Sequence, residues 1–301
     1  MGESPPDGID PAKINWSGLN AVFGPRGRTL FGDGISPDDV VQGALGNCWF
    51  LAAASAIAEE KGRMEKVFVN TGNALNKKGA YSVKFYQLGV PKTVTIDDYM
   101  PLIDYGDGKL RTVFSNPGVD GSMWTAVLEK AFAKYHGNYK HIVAGDPGIG
   151  IRTMTGAPFE RYEHKDMNAG DLWNKLVQHD KNKDIMSCVS PAGSDKTTSA
   201  SGLVQGHAFT LLSTHVTSAG DKLLKIRNPH GSEKYKGAWG DTDGRWTPEL
   251  LKELGHSLNR KDGVFFMDLG NFMSEFEASR ANYNTDGWSH DYHLQLNDNS
   301  P

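Results

Sequence analysis

The sequence predicts an α+β protein in which a helical first half and a β-rich second half enclose a cleft. Two segments, 48–61 and 122–136, carry apolar residues at helical spacing, whereas segments with strand periodicity cluster after residue 184. Between the halves, 143–156 contains four glycines and is expected to form a flexible crossover. At 301 residues, the chain is long enough for both halves to bury a core.

The helical half is predicted from two helices and one hairpin. The segment 48–61 is rich in alanine and contains no glycine or proline, and 122–136 repeats apolar side chains at helical spacing. A glycine follows each segment as a stop signal. Alternation of apolar and polar residues at 80–86, and again at 94–96, indicates a β-hairpin.

The second half is expected to consist mainly of strands with short helices between them. Its segments are bounded by glycine, proline, asparagine and serine, which are typical of turns. The predicted strands are 185–190, 207–214, 222–227 and 263–269, and the predicted short helices are 169–179, 248–255 and 271–278.

These elements divide the chain into four parts. A proline-rich arm at 1–19 precedes a helical lobe at 20–145. A β-rich lobe at 146–278 follows. The remaining residues, 279–301, are expected to form a tail or the start of a further domain.

Composition excludes several classes of function. The net charge of −4 provides no basic surface for nucleic acid or an anionic membrane. No apolar run approaches the length that spans a membrane, and the first residues lack the pattern of a secretion signal. The two cysteines, Cys48 and Cys188, are too few for a disulfide scaffold, so we expect a reducing, cytoplasmic setting.

Cys48 is the candidate nucleophile because it begins the first predicted helix. The exposed amides and the dipole at a helix start favour a thiolate over a thiol. The loop before it contains two glycines, which let the backbone approach the nucleophile closely. Gln42, six positions upstream, is placed to donate to an oxyanion together with the Cys48 amide. The alternative is that Cys48 is a small buried apolar residue of a core helix.

A thiol nucleophile needs a base and a group that orients the base. His207 stands at the start of a predicted apolar strand, and Asn228 ends the next one. If the two strands pair as a hairpin, the side chains lie together, and the amide of Asn228 fixes one imidazole nitrogen. A core histidine and a turn-forming asparagine before Pro229 remain the alternatives, but the order Gln, Cys, His, Asn favours a catalytic set.

Several motifs together resemble the calpain family of cysteine proteases. The family usually has aspartate where this chain has Asn47, and otherwise the match is close over about residues 20–275. The matching motifs are QGALGNCWFL at 42–51, WTAVLEKAFAKYHGNY at 124–139, GHAF at 206–209, RNPHG at 227–231, GAWGD at 237–241 and DGVFFM at 262–267.

The resemblance implies a papain-like fold and limited proteolysis of other proteins, usually in the cytosol. It implies a triad split between the lobes, with Gln42 as oxyanion donor; the triad residues are Cys48, His207 and Asn228. It also implies that the backbone at Gly145 and Gly206 pairs with an extended substrate. Trp239 is a further candidate for a substrate pocket, with packing beside the Asn228 turn as the alternative.

Calpain cores bind a calcium ion in each lobe, and calcium prefers six to eight oxygen ligands. The resemblance implies that Asp39 and the carbonyls of Gly32 and Gly34 serve the first lobe, and that Asp241 and Asp262 serve the second.

Other positions depart from the calcium pattern of the family. Ser122, Lys234 and Val264 stand where the family has acidic residues. The arginine that links the lobes in calpains falls near Pro37, and its acidic partner is the position of Val264, so both ends of that link are missing. His230 replaces a tryptophan that can block the cleft without calcium. We therefore expect calcium dependence to be weakened or lost and no cofactor to be required.

Two other functions stay open from the sequence alone. A catalytically silent calpain-like protein would keep the fold as a regulatory or binding module. An acyl- or amidotransferase would use the same nucleophile, but no amine-binding site is identifiable. Calpains often add a β-sandwich and EF-hand domains after the core, so this chain is expected to be either a fragment or a minimal form.

Overall fold

A computed structural model describes residues 9–69, 71–194, 197–232, 234–259 and 261–288. The helices are α1 (Leu19–Phe23), α2 (Cys48–Ala58), α3 (Trp124–Tyr135), α4 (Pro147–Thr155), α5 (Ala169–Lys181), α6 (Pro248–Glu253) and α7 (Leu269–Glu275). The strands are β1 (Ile14–Gly18), β2 (Ala80–Gln87), β3 (Val90–Asp97), β4 (Tyr99–Asp104), β5 (Leu110–Thr112), β6 (Phe159–Glu163), β7 (Ile185–Val189), β8 (Ala208–Val216), β9 (Lys222–Arg227), β10 (Val264–Asp268) and β11 (Ala278–Asn282).

Helix α2 is the central helix of the first half. Every residue after Cys48 is buried, as expected for a helix that is apolar on all sides. The predicted helix continued to residue 61, but the observed one ends at Ala58, where the chain turns polar with Glu59 and Glu60. Because charged side chains are costly to bury, the segment turns out of the core there.

Helix α3 packs against α2 through aromatic rings. Phe132 stacks on Phe50 with ring centroids 4.1 Å apart. The predicted hairpin is confirmed: β2 and β3 are antiparallel, with Tyr81 opposite Ile96. A three-stranded sheet in the order β1-β4-β5 completes this half.

The second half is a six-stranded antiparallel sheet in the order β10-β9-β8-β7-β11-β6. The expected pairing of the strands that follow His207 and precede Asn228 is confirmed, because Thr210 in β8 lies opposite Arg227 in β9. Ala208 belongs to the core cluster that contains α2, so this edge of the sheet packs on the nucleophile helix.

The prediction of a flexible crossover at 143–156 is wrong for most of that segment, because helix α4 occupies it. The Asp146 carboxylate accepts from the amide of Gly148 at 2.8 Å and caps the helix. A Cβ on Gly150 would lie 3.0 Å from the Cβ of Ala53. The glycines therefore permit close packing against α2, and they do not make the segment flexible.

The predicted boundary after residue 278 is also wrong. β11 lies between β7 and β6 and is an interior strand of the large sheet. All five of its residues are buried, including Ser279, Arg280 and Asn282. This polar composition hides the strand from a search for apolar runs. The end of the expected tail, 289–301, lies outside the described residues. Among the residues that are described, no helix has the length and apolar character needed to span a bilayer.

Candidate active site

Cys48 is the first residue of α2, as the sequence predicts. Its side chain is half-buried and packs against the core of the first half. Cys188 differs, because it is fully buried in β7 and burial raises the pKa of its thiol well above the usual value. A nucleophile must be reachable as a thiolate, so Cys48 is the cysteine suited to react.

His207 and Asn228 meet as a hydrogen-bonded pair. Nε2 of His207 lies 2.9 Å from Oδ1 of Asn228, and the backbone amide of His230 donates to the same oxygen at 3.0 Å. Because a backbone N–H can only donate, this atom of Asn228 must be the amide oxygen. Nε2 of His207 therefore carries the hydrogen, and Nδ1 of the neutral ring is the basic nitrogen.

The free basic nitrogen of His207 is the atom that can accept a thiol proton. Nδ1 is buried and makes no hydrogen bond to any described residue. Burial and, to a smaller extent, the charge of His230 lower the pKa of His207 to about 3, although the bond to Asn228 opposes the shift. The ring is therefore neutral at pH 7, and its Nδ1 carries no proton.

Backbone hydrogen bonds hold the two residues in place. His207 donates from its amide to Oγ of Ser190 at 3.1 Å and accepts from the Ser190 amide at 3.0 Å. The amide of Asn228 donates to the carbonyl of Gly263 at 2.9 Å. Both catalytic candidates are thus fixed at strand ends, and a rigid strand positions a side chain more accurately than a loop does.

The Gln42 loop contacts the Asn228 turn directly. The amide of Gln42 donates to the carbonyl of Pro229 at 3.1 Å, and its side-chain Nε2 donates to the carbonyl of Leu45 at 2.8 Å. A Cβ on Gly43 would lie 1.5 Å from the carbonyl oxygen of Phe114, so only glycine fits. Nε2 of Gln42 carries a second hydrogen, which is available to an oxyanion.

Asn47, which precedes the nucleophile, is held by a buried carboxylate that the sequence does not reveal. Its Nδ2 donates to Oε1 of Glu129 at 2.7 Å, and Oε2 of Glu129 accepts from the amide of Ser115 at 2.9 Å. Burial raises the pKa of Glu129, against these bonds. Aspartate, the usual family residue at position 47, would have no hydrogen to donate when ionised.

His230 lies against His207. The ring centroids of His207 and His230 are 4.3 Å apart, with the planes at 35°. The half-buried imidazole of His230 thus occupies the side of His207 where the family resemblance implies an indole. The motif RNPHG shows the presence of His230 in the sequence, but only the structure shows how close its ring lies to that of His207.

The three candidate substrate residues have different surroundings. A Cβ on Gly145 would lie 2.5 Å from the indole of Trp49, so this glycine packs next to the start of α2. Gly206 has φ +57 and turns the chain directly before His207. Both remain predictions as substrate-binding residues. The prediction that Trp239 lines a substrate pocket is wrong. This residue is 4% exposed and packs with Leu223 and Phe266, so its ring is not available to a substrate.

Asp39, the candidate calcium ligand of the first half, is engaged by neighbouring groups. Its Oδ2 accepts from the amide of Ser36 at 2.9 Å and from Nε1 of Trp124 at 3.1 Å. Burial and nearby Asp120 raise the pKa of Asp39 to about 6, although these hydrogen bonds oppose the shift. The carboxyl group is therefore partly protonated near pH 6.

Gly32 of the same loop lies against Asp120, whereas Gly34 faces open space. A Cβ on Gly32 would lie 1.6 Å from an oxygen of Asp120, and Asp120 accepts from the amide of Ser122 at 2.8 Å. Gly34 has φ +140 and carries the turn. Ser122 is fully buried and contributes no charge where the family has an acidic ligand.

In the second half, a histidine contacts one of the two candidate ligands. Oδ1 of Asp241 lies 2.9 Å from Nε2 of His256, and both side chains are 2% exposed. Asp262 accepts from the amide of Val264 at 2.8 Å, and burial raises its pKa. Lys234 is exposed. In the part of the chain that the structure describes, no group of three or more His, Cys, Asp or Glu side chains is arranged to hold a metal ion.

Comparison with known proteins agrees with these observations. The chain matches the family model for calpain family cysteine protease over residues 5–281. It is 33% identical over 256 residues to calpain-type cysteine protease ADL1 of Oryza sativa subsp. japonica, covering 83% of this chain and 12% of that protein.

Animal relatives match over a similar part of the chain. Identity to the calpain-1 catalytic subunit of Bos taurus is 31% over 255 residues, covering 81% of this chain and 34% of the relative. The chain thus spans 12% and 34% of the length of these two relatives. The mixed α and β architecture agrees with a papain-like protease core, and the chain belongs to the calpain family of cysteine proteases.

Proposed function

We propose that this chain is a cysteine endopeptidase core that cleaves peptide bonds in proteins through Cys48, His207 and Asn228. The observation that carries the proposal is the fixed tautomer of His207. Two donors converge on Oδ1 of Asn228, which leaves Nδ1 of His207 as a buried base. A histidine that only filled the core would have no need for an oriented, basic nitrogen.

The reaction follows from these roles. Nδ1 of His207 takes the proton of the Cys48 thiol, and the thiolate attacks the carbonyl carbon of the scissile peptide. The Cys48 amide and the second hydrogen of Gln42 Nε2 stabilise the oxyanion. His207 returns the proton to the leaving amine, and a thioester forms. His207 then deprotonates a water, which hydrolyses the thioester and restores the thiol.

Site-directed labelling tests this proposal, and the second cysteine supplies the matched control. An epoxide or vinyl sulfone reagent should label the wild type and Cys188→Ala, but not Cys48→Ala. Cleavage of a denatured protein substrate should be lost only in Cys48→Ala, because Cys188 is fully buried. A wild type that cleaves nothing and takes no label at Cys48 would favour the catalytically silent alternative.

We also propose that calcium is weakly bound or not bound, so that activity depends little on it. When bound in calpain cores, calcium aligns the two lobes. Here the His256 imidazole occupies one oxygen of Asp241, and Ser122, Lys234 and Val264 supply no carboxylate. The thermal unfolding midpoint should therefore stay within about 1 °C when about 1 mM calcium is added, whereas a bound ion would raise it.

The proposed substrates are intracellular proteins, and the proposed location is the cytoplasm. Both cysteines are thiols, which suits a reducing compartment. Fractionation of cells that express a tagged form tests the location, and recovery in a secreted fraction would contradict it.

A further inference from the structure

We propose that Arg227 and Thr210 are positioning residues that hold the His207–Asn228 pair in register with the nucleophile helix. The inference rests on the proposed function and explains what aligns the two halves without a strong calcium site. It concerns two buried polar side chains of the β-rich half that reach into the first half. Neither takes part in the reaction itself.

The guanidinium of Arg227 contacts three separate groups of the first half. Nη2 donates to the carbonyl of Val40 at 3.1 Å, and Nη1 donates to Oγ of Ser55 in α2 at 3.4 Å. Nε lies 3.3 Å from a carboxylate oxygen of Asp38. A planar group with several fixed donors suits three acceptors in different directions, which a lysine cannot match.

Burial makes this arrangement costly unless its geometry is maintained. The Arg227 side chain is 1% exposed, and burial lowers its pKa while the charge of Asp38 raises it. The Asp38 side chain is 46% exposed, so the cost of removal from water falls mainly on the guanidinium, and the ion pair itself adds little net stability. Losing one partner, however, leaves a buried charge uncompensated. The pair therefore favours one relative placement of the halves over others.

The placement of this ion pair matches the missing link between the lobes. Asp38 directly follows Pro37, where the family resemblance implies the linking arginine. Arg227 lies opposite Val264 in the register of β9 and β10, and Val264 is where its acidic partner is implied. The structure thus contains a link between the same two regions with its charges reversed.

Thr210 supplies a second link one strand away. It lies opposite Arg227 in the pairing of β8 and β9. Its hydroxyl donates to the carbonyl of Ala52 in α2 at 2.9 Å, one helical turn beyond Cys48. The Thr210 side chain is 1% exposed, so water does not compete for this bond.

The two links lie close to the two catalytic residues along the chain. Thr210 is three residues after His207, and Arg227 immediately precedes Asn228. Each catalytic residue is thus attached to a strand that is itself fixed to the first half. Because a displacement of about 1 Å can lower a catalysed rate about 100-fold, these contacts act on the rate through position alone.

Steady-state cleavage in chelator tests the proposal with Arg227→Met, Arg227→Lys and Thr210→Val. For Arg227→Met we expect kcat to fall about 100-fold with KM changed less than about threefold. Thr210→Val keeps the shape and removes one hydrogen bond, so kcat should fall about tenfold. Lys222→Met, on the same strand β9, is the matched control, because its exposed ammonium lies over the ring of Trp173 in the second half, 5.5 Å from the ring centroid.

The pH profile of Cys48 alkylation separates positioning from stability. An aligned His207 takes up the thiol proton, so Cys48 reacts at a lower pH than an isolated thiol, and misalignment should move the midpoint upward by at least about one pH unit. This shift is expected in Arg227→Met and Thr210→Val, measured below their unfolding temperatures, and not in Lys222→Met. Arg227→Lys should recover little, because one ammonium cannot reach three acceptors.

The outcomes distinguish the inference from the proposed function. A folded Arg227→Met with wild-type kcat and alkylation profile overturns the inference while the peptidase assignment stands. If Arg227→Met does not fold, Thr210→Val decides, and an unchanged kcat and profile in that variant overturns the inference as well. A wild type without cleavage or labelling at Cys48 would instead remove the proposed function.

Discussion

The catalytic residues and the candidate calcium ligands occupy neighbouring regions but have different surroundings. His207 and Asn228 form a hydrogen-bonded pair whose remaining basic nitrogen makes no bond to any described residue. Asp39 and Asp241 are instead engaged by Trp124 and His256. The chemistry of peptide cleavage requires one arrangement of specific groups, whereas alignment of two halves can be achieved by other contacts.

This difference indicates which residues of this family can be replaced while the fold is kept. A carboxylate that loses a cation must find another partner or become protonated. Asp241 has the His256 imidazole, and Asp39 shows the raised pKa of a buried acid. In the same regions, Arg227 and Asp38 form an ion pair between the two halves.

The largest expected effect comes from breaking the catalytic pair. His207→Ala should lower kcat/KM by at least about 1,000-fold, because the base is removed. Asn228→Ala should lower it about 100-fold, because the imidazole loses its fixed tautomer. His215→Ala, on the same strand β8, is the control and should stay within about twofold of wild type. Comparable losses in all three would indicate a general effect on folding.

The next effect tests whether His256 is a required partner of Asp241. His256→Ala leaves a buried carboxylate without its hydrogen-bond partner, so the free energy of unfolding should fall by about 1–3 kcal/mol. The double variant Asp241→Asn with His256→Ala should recover part of this loss, because the charge is gone too. Urea unfolding at pH 7 measures both, and additive losses would contradict the coupling.

A smaller effect is expected from a comparison of His207 with His164, a buried histidine outside the candidate active site. His164 is bonded to Ser279, and burial lowers its pKa from 6.5 to about 4. The unfolded chain therefore binds more protons between pH 6.5 and 4, so stability falls as pH falls through that window. This loss should shrink in His164→Gln by about 2 kcal/mol between pH 7.5 and 5.

Measurements of kcat/KM distinguish the role of His164 from that of His207. His164→Gln should retain wild-type kcat/KM at pH 7.5, where the wild-type ring is neutral. His207→Gln should reduce the acid sensitivity of stability as well, because burial also lowers the pKa of His207, but it should be inactive. Unchanged acid sensitivity in both variants would contradict the buried neutral state of these rings.

The smallest effect concerns Asn47 beside Glu129. Asn47→Asp places two carboxyl groups together, so one must hold a proton and its pKa rises. An acid with a raised pKa in the folded state loses stability as pH increases, so the variant should be about 1–3 kcal/mol less stable at pH 8 than at pH 5, relative to wild type. Adding Glu129→Gln restores a donor and should remove this dependence.

The positions of the candidate catalytic residues in the fold were predictable from sequence, because each belongs to a local pattern. Cys48 begins an alanine-rich helix, and His207 and Asn228 lie at the ends of neighbouring strands whose pairing follows from chain order. Their approach depends only on antiparallel pairing, which local periodicity indicates. The hairpin of β2 and β3 was predictable for the same reason.

Features that depend on distant contacts were not predictable. Glycines usually mark flexible turns, but Gly150 of α4 packs closely on α2, and Gly148 packs on Phe159. β11 is polar, and its place between β7 and β6 depends on partners such as the partly buried Asp146, which binds Arg280 at 2.9 Å. The contacts of Arg227 with Asp38 and of Asp241 with His256 likewise join residues whose sequence neighbourhoods give no sign of each other.

The most direct test of the account is kcat/KM for a peptide substrate in excess chelator and in millimolar calcium. If protein contacts align the two halves, the two values should agree within about twofold, because an ion without differential affinity shifts no equilibrium. The same ratio should hold in Asp241→Asn, which removes a candidate ligand. Activation by calcium of tenfold or more, lost in Asp241→Asn, would show that the ion still aligns the halves and would contradict the account.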